Sequence, residues 1–452
     1  MGRNLTTGSL ILAGVLMELC FLSFYIVSPG PGEVLAFIAV NVAAFLLLTV
    51  LLWRLRKRYE PPPRRWLIPI AAFGVLFRLT LLPHGVIGSD DIYRYLWDGK
   101  VAAAGINPFA FTPTDPHLSG LGTADLPSKV NHPELRSVYP ALAQLLFLVS
   151  HALFGDSVPG MKLLLTVMDC LTIWFIWRFV RQRADPVFPV LLYAWSPLPV
   201  LYFALDGHID ALGIPFLVLG LALFTAQRPV RGALALGMSA LAKLVPLLVL
   251  PLLVRHLKGF RRFLIPLLPV LLVLAGAYLY YEPSWGVVES LATFGSRWEF
   301  NGSIFSITYF LTGSNEAAHI VSGVLVAVWI GTLTLMDRPL LEKVFWGFVG
   351  FILLSPVVHP WYLTWLAALL PLRWSPGVYV FLGMSALANV VVYQYRAYGV
   401  WTDQPLLLLG EYLPVFVLLA REIVRGEVLP SSGRSESLDI GQTTLYHKEV
   451  TK

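Results

Sequence analysis

The run VLAFIAVNVAAFLLLTVLLWRLRKRYEPPPRRWLIPIAAFGVLFRLTLL at residues 34–82 decides the fold class. It holds an apolar segment at 34–53, a knot of positive charge, and a second apolar segment at 66–82. Each apolar segment has roughly the length that a helix needs to cross a hydrocarbon core of about 30 Å. Only helices and closed barrels satisfy every backbone polar group inside a bilayer, and barrels are built from alternating segments of about ten residues. These runs are continuous and long, so both are read as membrane-crossing helices.

The pattern repeats along the chain. Helices are expected at 9–27, 34–53, 66–82, 161–180, 187–205, 209–226, 263–281, 317–336, 342–356, 360–373, 376–394 and 405–421. This makes an all-α polytopic membrane protein with about twelve crossings. Stretches 138–154, 232–242 and 244–254 are too short or too broken to cross, and Lys243 and Pro246 interrupt the last two, which read as a re-entrant pair. With 57% hydrophobic and 13% charged residues, the chain is far more apolar than a soluble domain, which carries about 25% charge. The net charge of +6 does not indicate a nucleic-acid partner, because the basic residues sit in short loops beside apolar runs, where they act as topology signals. Cys20 and Cys170 lie inside apolar runs and form neither a disulfide framework nor a metal set. The N-terminal apolar run is too long for a signal-peptide core and is read as a retained first helix. Residues 1–426 are expected to form one transmembrane domain, and 427–452 a disordered cytoplasmic tail rich in Ser, Thr, Gly and charge.

Arg54, Arg56, Lys57, Arg58, Arg64 and Arg65 mark the loop between the second and third helices as cytoplasmic. Counting onward puts Arg178, Arg181 and Arg183, Arg228 and Arg231, Arg255 to Arg262, and Arg421 and Arg425 on that face too. The parity holds if 138–154 stays outside and the 232–254 pair enters and leaves by one face. Four polar segments then collect on the opposite face: the 83–137 loop, DGHIDA at 206–211, the SRWEFNGSIF stretch and SPVVHPWYL. Charged groups at membrane depth are costly, so their convergence points to a cavity or site. Within the large loop, Ser89 or Asp90 can cap a helix running to about Ala104, which Gly105 and Asn107-Pro108 terminate. On it Asp91, Arg94, Tyr95 and Asp98 fall at i, i+3, i+4 and i+7 and share a stripe, as expected of a helix lying along the outer membrane surface with its acids facing a cavity.

SDDIYRYLWDGKVAAAGINPF at 89–109, YPALAQ at 139–144, DGHIDA, ALAKLVP at 240–246, FNGS at 300–303 and SPVVHPWY at 355–362 resemble bacterial members of the GT-C glycosyltransferase superfamily. The resemblance is strongest to the polyprenol-phosphate-mannose-dependent mannosyltransferases, including glycosyltransferase family 87. It implies a multi-spanning helical fold, an acidic external loop with surface-lying helices and a sugar donor carried on a lipid phosphate. The adjacent acids Asp90-Asp91 depart from the Asp-Xaa-Asp form of some relatives, so the sequence names no cofactor and leaves a divalent metal unsupported. An acceptor hydroxyl needs a carboxylate to take its proton as it attacks the anomeric carbon, and one carboxylate with a single displacement implies inversion. Asp91 is favoured as that base, with Asp90 the alternative. Lys243, Arg94 and Arg297 are candidates for the donor phosphate. Tyr95, Asp98, Tyr139, His208, Asp210, Glu299, Asn301, His359 and Tyr362 are candidates for holding sugar or acceptor. The expected partners are a polyprenyl-phosphate-linked sugar, a lipid or glycan acceptor and membrane lipids, and the expected place is a bacterial plasma membrane with the site facing outward. A transporter or flippase, and a lipid-linked glycan polymerase or ligase, are the competing readings.

Overall fold

A computed structural model of the chain describes residues 5–58, 60–279 and 286–425. The 427–452 tail lies outside the described residues. Among them the strand-like pairing is confined to an isolated parallel bridge between Phe300 and Val357. The first part of the chain forms α1 (Thr7–Leu22), α2 (Pro31–Arg56), α3 (Leu67–Leu81), α4 (Asp91–Ala103), α5 (Ala141–Phe154), α6 (Val158–Val180), α7 (Val187–Ala194) and the single turn α8 (Pro197–Pro199). The middle forms α9 (Asp210–Thr225), α10 (Pro229–Ala242), α11 (Val249–Leu253), α12 (Arg261–Leu279), α13 (Gly286–Arg297) and α14 (Ser303–Thr312). The last part forms α15 (Asn315–Leu335), α16 (Leu340–Leu354), α17 (Leu363–Leu369), α18 (Pro376–Met384), α19 (Asn389–Tyr398) and α20 (Pro405–Val424).

Among the described residues seven stretches are long and apolar enough to cross a membrane: Thr7–Ile26, Pro31–Arg56, Val158–Val180, Val187–Leu205, Arg261–Tyr278, Asn315–Leu335 and Pro376–Tyr398. Shorter apolar helices, α5, α9, α10 and α14, lie among them. Length and composition therefore do not reach the expected count of about twelve crossings. Proline reshapes two of the expected runs, since it removes a backbone donor and disturbs the preceding turn. The 187–205 run breaks at Trp195-Ser196 before Pro197 and ends as a π-helical turn, Val200–Leu205. The 360–373 run shrinks to a 3₁₀ turn, Pro360–Tyr362, followed by α17. The helices α13 and α14 occupy a stretch read from the sequence as loop.

Basic residues from several loops gather at one end of the bundle. Arg183, after α6, donates to the carbonyls of Pro371 and Leu372 after α17, at 3.2 and 3.1 Å. Arg56, at the end of α2, lies 4.5 Å over the Phe188 ring and 4.0 Å over the Trp374 ring. Arg228 and Arg231 at the start of α10 line a cleft together with Arg261 at the start of α12. The chain therefore rises along α10, turns at Lys243 and returns through α11 to the end it left. Inside the bundle, Arg78 of α3 pairs with Asp169 of α6 at 2.6 Å, and Tyr193 of α7 donates to the same carboxylate at 2.7 Å. An isolated charge at that depth would be costly, so the paired set locks three helices together.

The helix α4 differs from expectation in its surroundings. It does not lie exposed along a surface, because Ile92, Val101 and every residue from Arg94 to Gly99 are buried. Both sides are covered, one by α5 and the 131–137 loop and the other by α6. Gly99 permits the α5 contact, since a Cβ at that position would run into the Phe147 carbonyl.

Candidate active site

The site begins where α4 begins. Ser89 Oγ accepts the Asp91 N–H at 3.3 Å, while Asp90, at the N-cap position, makes no side-chain cap bond. Both carboxylates instead accept from one amide: Asn131 Nδ2 lies 3.0 Å from Asp90 Oδ1 and 2.8 Å from Asp91 Oδ1. The loop carrying Asn131 is held by Arg94, whose guanidinium donates to the carbonyls of Leu135 at 3.1 Å, Asn131 at 3.3 Å and His132 at 2.8 Å. Arg94 is thus a brace behind the acids, with three donors on backbone carbonyls. Asp98 is a second brace, accepting from Ser137 at 2.5 Å and Gln144 at 3.0 Å. Tyr95 packs 4.8 Å from Phe147 and edge-on to Tyr139 at 5.0 Å. Of the expected stripe only Asp91 keeps an accessible polar group, with its side chain 23% exposed.

Across from Asp91 lies the segment joining the π-helical turn to α9. Asp206 accepts the N–H groups of Ile87 at 2.8 Å and Gly88 at 3.0 Å, pinning the segment that leads into Asp90-Asp91. A Cβ on Gly88 would come 2.6 Å from Asp206 Oδ2, so glycine is required by close approach. Lys162 Nζ and Arg396 Nη2 hold the same segment by the carbonyls of His84 and Ile87, each at 2.7 Å. His208 is 1% exposed, and its Nδ1 stands 3.6 Å from Asp91 Oδ2. Neither ring nitrogen has a hydrogen-bond partner among the described residues. Asp210 opens α9 and takes Lys243 Nζ at 2.8 and 2.9 Å on its two oxygens, with Trp365 Nε1 at 2.6 Å. Lys243 sits in an extended conformation after α10, 27% exposed and 4.2 Å over the Tyr362 ring.

An aromatic column walls this group. His208 stacks on Trp361 at 4.0 Å, Trp361 on His359 at 4.1 Å, and His359 on Phe300 at 4.6 Å. Asn301, at φ 52°, anchors the far end: its N–H donates to Asp403 at 2.7 Å and its Nδ2 to Glu411 at 3.2 Å. Asp91, Asp90, His208, Asp210, Lys243, Tyr362, His359 and Asn301 are therefore linked by contact. Glu299 is exposed and accepts from Asn315 at 2.7 Å, and Arg297 is exposed with no hydrogen bond or ion pair joining it to the group among the described residues. Sequence reading missed Asp206, Asn131 and Trp361. Asp206 and Trp361 lay within quoted motifs, whereas Asn131 carried no pattern.

Electrostatics separate the two acids. Burial, with Asp90 adding repulsion, pushes Asp91 from the ordinary 3.8 up to about 6, against the opposing Asn131 hydrogen bond and the Lys243 charge. Burial also raises Asp90, opposed by hydrogen bonds and by His132 and Arg396. His208 is held far below its ordinary value by burial, then by Lys243 and His359, so it is neutral near pH 7 and has one N–H to give. The arrangement offers a carboxylate titrating near neutrality, a neutral imidazole and a lysine on one small surface. Among the described residues no group of three or more His, Cys, Asp or Glu is placed to hold a metal ion.

Fold and site together define an integral membrane protein with a buried carboxylate centre at one end of a helical bundle. The profile of the MptA_B family, "Alpha-(1->6)-mannopyranosyltransferase, N-terminal domain", matches residues 5–259, more than half of the chain. The chain belongs to this family of glycosyltransferases. The match takes in Asp90, Asp91, Asp206, His208, Asp210 and Lys243. Alpha-(1->6)-mannopyranosyltransferase A of Mycobacterium tuberculosis is 24% identical over 369 residues, 73% of this chain and 70% of that protein. ArnT from Cupriavidus metallidurans, in a crystal structure bound to undecaprenyl phosphate, is 15% identical, with 81% of this chain and 79% of that chain covered at a TM-score of 0.44.

Proposed function

We propose that the protein transfers a mannosyl residue from a polyprenyl phosphate to a lipid-linked or glycan hydroxyl on the non-cytoplasmic face of the membrane, with inversion and with Asp91 as base. The observation that carries this reading is Asp91, a partly accessible carboxylate raised to about 6, next to a neutral, unpartnered His208 and within the field of Lys243. A base works best when its pKa lies near the working pH. As the acceptor oxygen bonds to the anomeric carbon, its proton passes to Asp91. The bond from that carbon to the phosphate oxygen breaks, and its electron pair leaves with the lipid phosphate. Lys243 stands beside the developing negative charge, and His208 donates its N–H to a sugar or acceptor oxygen. The alpha linkage in the family's name, combined with a single displacement, requires a beta-linked donor. Family membership speaks against the transporter reading and supports a mannosyltransferase over a polymerase or ligase. The outward orientation is supported by the basic residues gathered at the end opposite Asp91. Transfer of radiolabelled mannose from polyprenyl phosphate by purified protein in detergent, without any gradient, tests the reading.

A further inference from the structure

At the end of the bundle away from Asp91, α10 and α12 open a cleft of about 540 Å³. Arg228, Arg231 and Arg261 converge on it, and Val230, Leu264, Ile265 and Leu268 form its wall. Among the described residues no carboxylate pairs with these three arginines, and no acceptor takes a hydrogen bond from their side chains. Several arginines elsewhere are engaged: Arg56 stacks on rings, Arg183 holds carbonyls, and Arg78 and Arg396 pair with acids. The wall is open toward the bilayer. Val230 and Leu264 are about half exposed, and Leu267, Leu271 and Leu274 extend the outward apolar face along α12. Three cations at the membrane surface above a strip of exposed leucines match one chemistry, a phosphate headgroup with acyl chains beneath it. Guanidinium groups bind phosphate oxygens through paired N–H donors. A soluble phosphate would leave the leucine wall unused.

We propose that this cleft is a binding site for an anionic phospholipid headgroup, separate from the site that holds Asp91. The same helix that starts at the cleft ends at Lys243, about 20 Å away at 1.5 Å per residue. A lipid seated here anchors the foot of the re-entrant pair. The binding claim stands whether or not the transferase reading does.

The test is retention of phosphatidylglycerol against phosphatidylcholine by the full chain, purified in neutral detergent and weighed by native mass spectrometry. Phosphatidylglycerol should be kept at least tenfold better, the effect of about one charge-assisted hydrogen bond. The triple variant Arg228→Gln, Arg231→Gln, Arg261→Gln should lose that preference. Because removing positive charge can disturb insertion, Leu264→Trp provides a second test: it fills the cleft, leaves every charge in place and should also abolish retention. Equal retention of the two lipids, or full retention by Leu264→Trp, overturns the site. Displacement of the lipid by millimolar inorganic phosphate would make it a free-anion site, and preference for polyprenyl phosphate over phosphatidylglycerol would make it a carrier site. Either result also contradicts the proposal.

Discussion

Asp90 and Asp91 are neighbours in sequence with unequal surroundings, and the inequality makes separable predictions. Asp91 must be ionised to accept a proton, so kcat/KM should rise with pH through about 6 and level off above it, as a pH–rate profile would record. A rate flat from pH 5 to 7.5 would contradict the assignment. The raised value also has a sign for stability. Between the ordinary 3.8 and about 6 the folded state binds more protons than the unfolded one, so the contribution of Asp91 to stability falls as pH rises through that window. Asp91→Asn removes this cost and should not lower the melting temperature at pH 7, which separates lost catalysis from lost fold. Asp206 is a positioning residue by its geometry, since it holds the two N–H groups just before the acids. An amide at 206 keeps the oxygen that accepts both but turns its own N–H toward Gly88, whose N–H the second carboxylate oxygen accepts at 3.1 Å. Asp206→Asn should therefore cut kcat by about 10- to 100-fold, as small misplacements of a reacting group do, with donor affinity unchanged. Gly88→Ala should reproduce that split between kcat and affinity. The sequence made Asp91, His208, Asp210 and Lys243 visible because each stood in a short polar motif between apolar runs. It hid Asn131, whose loop has no period, and it lent Arg94 and Asp98 an outward role that their burial reverses.

At the scale of elements, the break between α10 and α11 was legible, because a lysine followed closely by a proline inside an apolar run interrupts a crossing helix. Its partner was not. The Asp210 carboxylate, 1% exposed, holds Lys243 with two short contacts, and no spacing rule links residues thirty-three positions apart. Lys243→Met would thus leave a buried acid with Trp365 alone, at a cost in stability that has nothing to do with substrate. The informative variant is the pair Lys243→Met with Asp210→Asn, which removes the cation without orphaning the acid. Donor affinity should fall about tenfold or more as a charge-assisted contact is lost. Unchanged affinity would mean that Lys243 serves only to pair with Asp210. Pro197, Pro199 and Pro360 likewise divide apolar runs whose hydropathy alone reads as unbroken helix.

Across the whole molecule, two ends are built from chemically different parts. One gathers Arg56, Arg183, Arg228, Arg231 and Arg261, and the other gathers Asp90, Asp91, Asp206, His208 and Asp210. Positive charge in short loops is retained in the cytoplasm, so a cysteine at exposed Ser119 should react with an impermeant thiol reagent added outside intact cells, and one at exposed Arg64 should not. Reversed labelling would turn the acids toward soluble nucleotide sugars and undo the lipid-donor reading. Charge bias made this polarity legible from sequence. The packing that brings residues 91, 208, 243 and 359 together could not be read there, because their contacts depend on how the helices cross.

The claim that the acid leading α4 is the base of a sugar transfer is tested most directly by one comparison. Radiolabelled mannose on a polyprenyl phosphate is supplied to wild type, Asp91→Asn and Asp90→Asn, with donor affinity measured separately for each. Asp91→Asn should bind donor normally and lose about 10²- to 10⁴-fold in turnover, the usual contribution of a positioned general base. Asp90→Asn should be milder, because its amide can still meet Asn131. Turnover above about a tenth of normal in Asp91→Asn, well beyond what the loss of a base allows, would contradict the account.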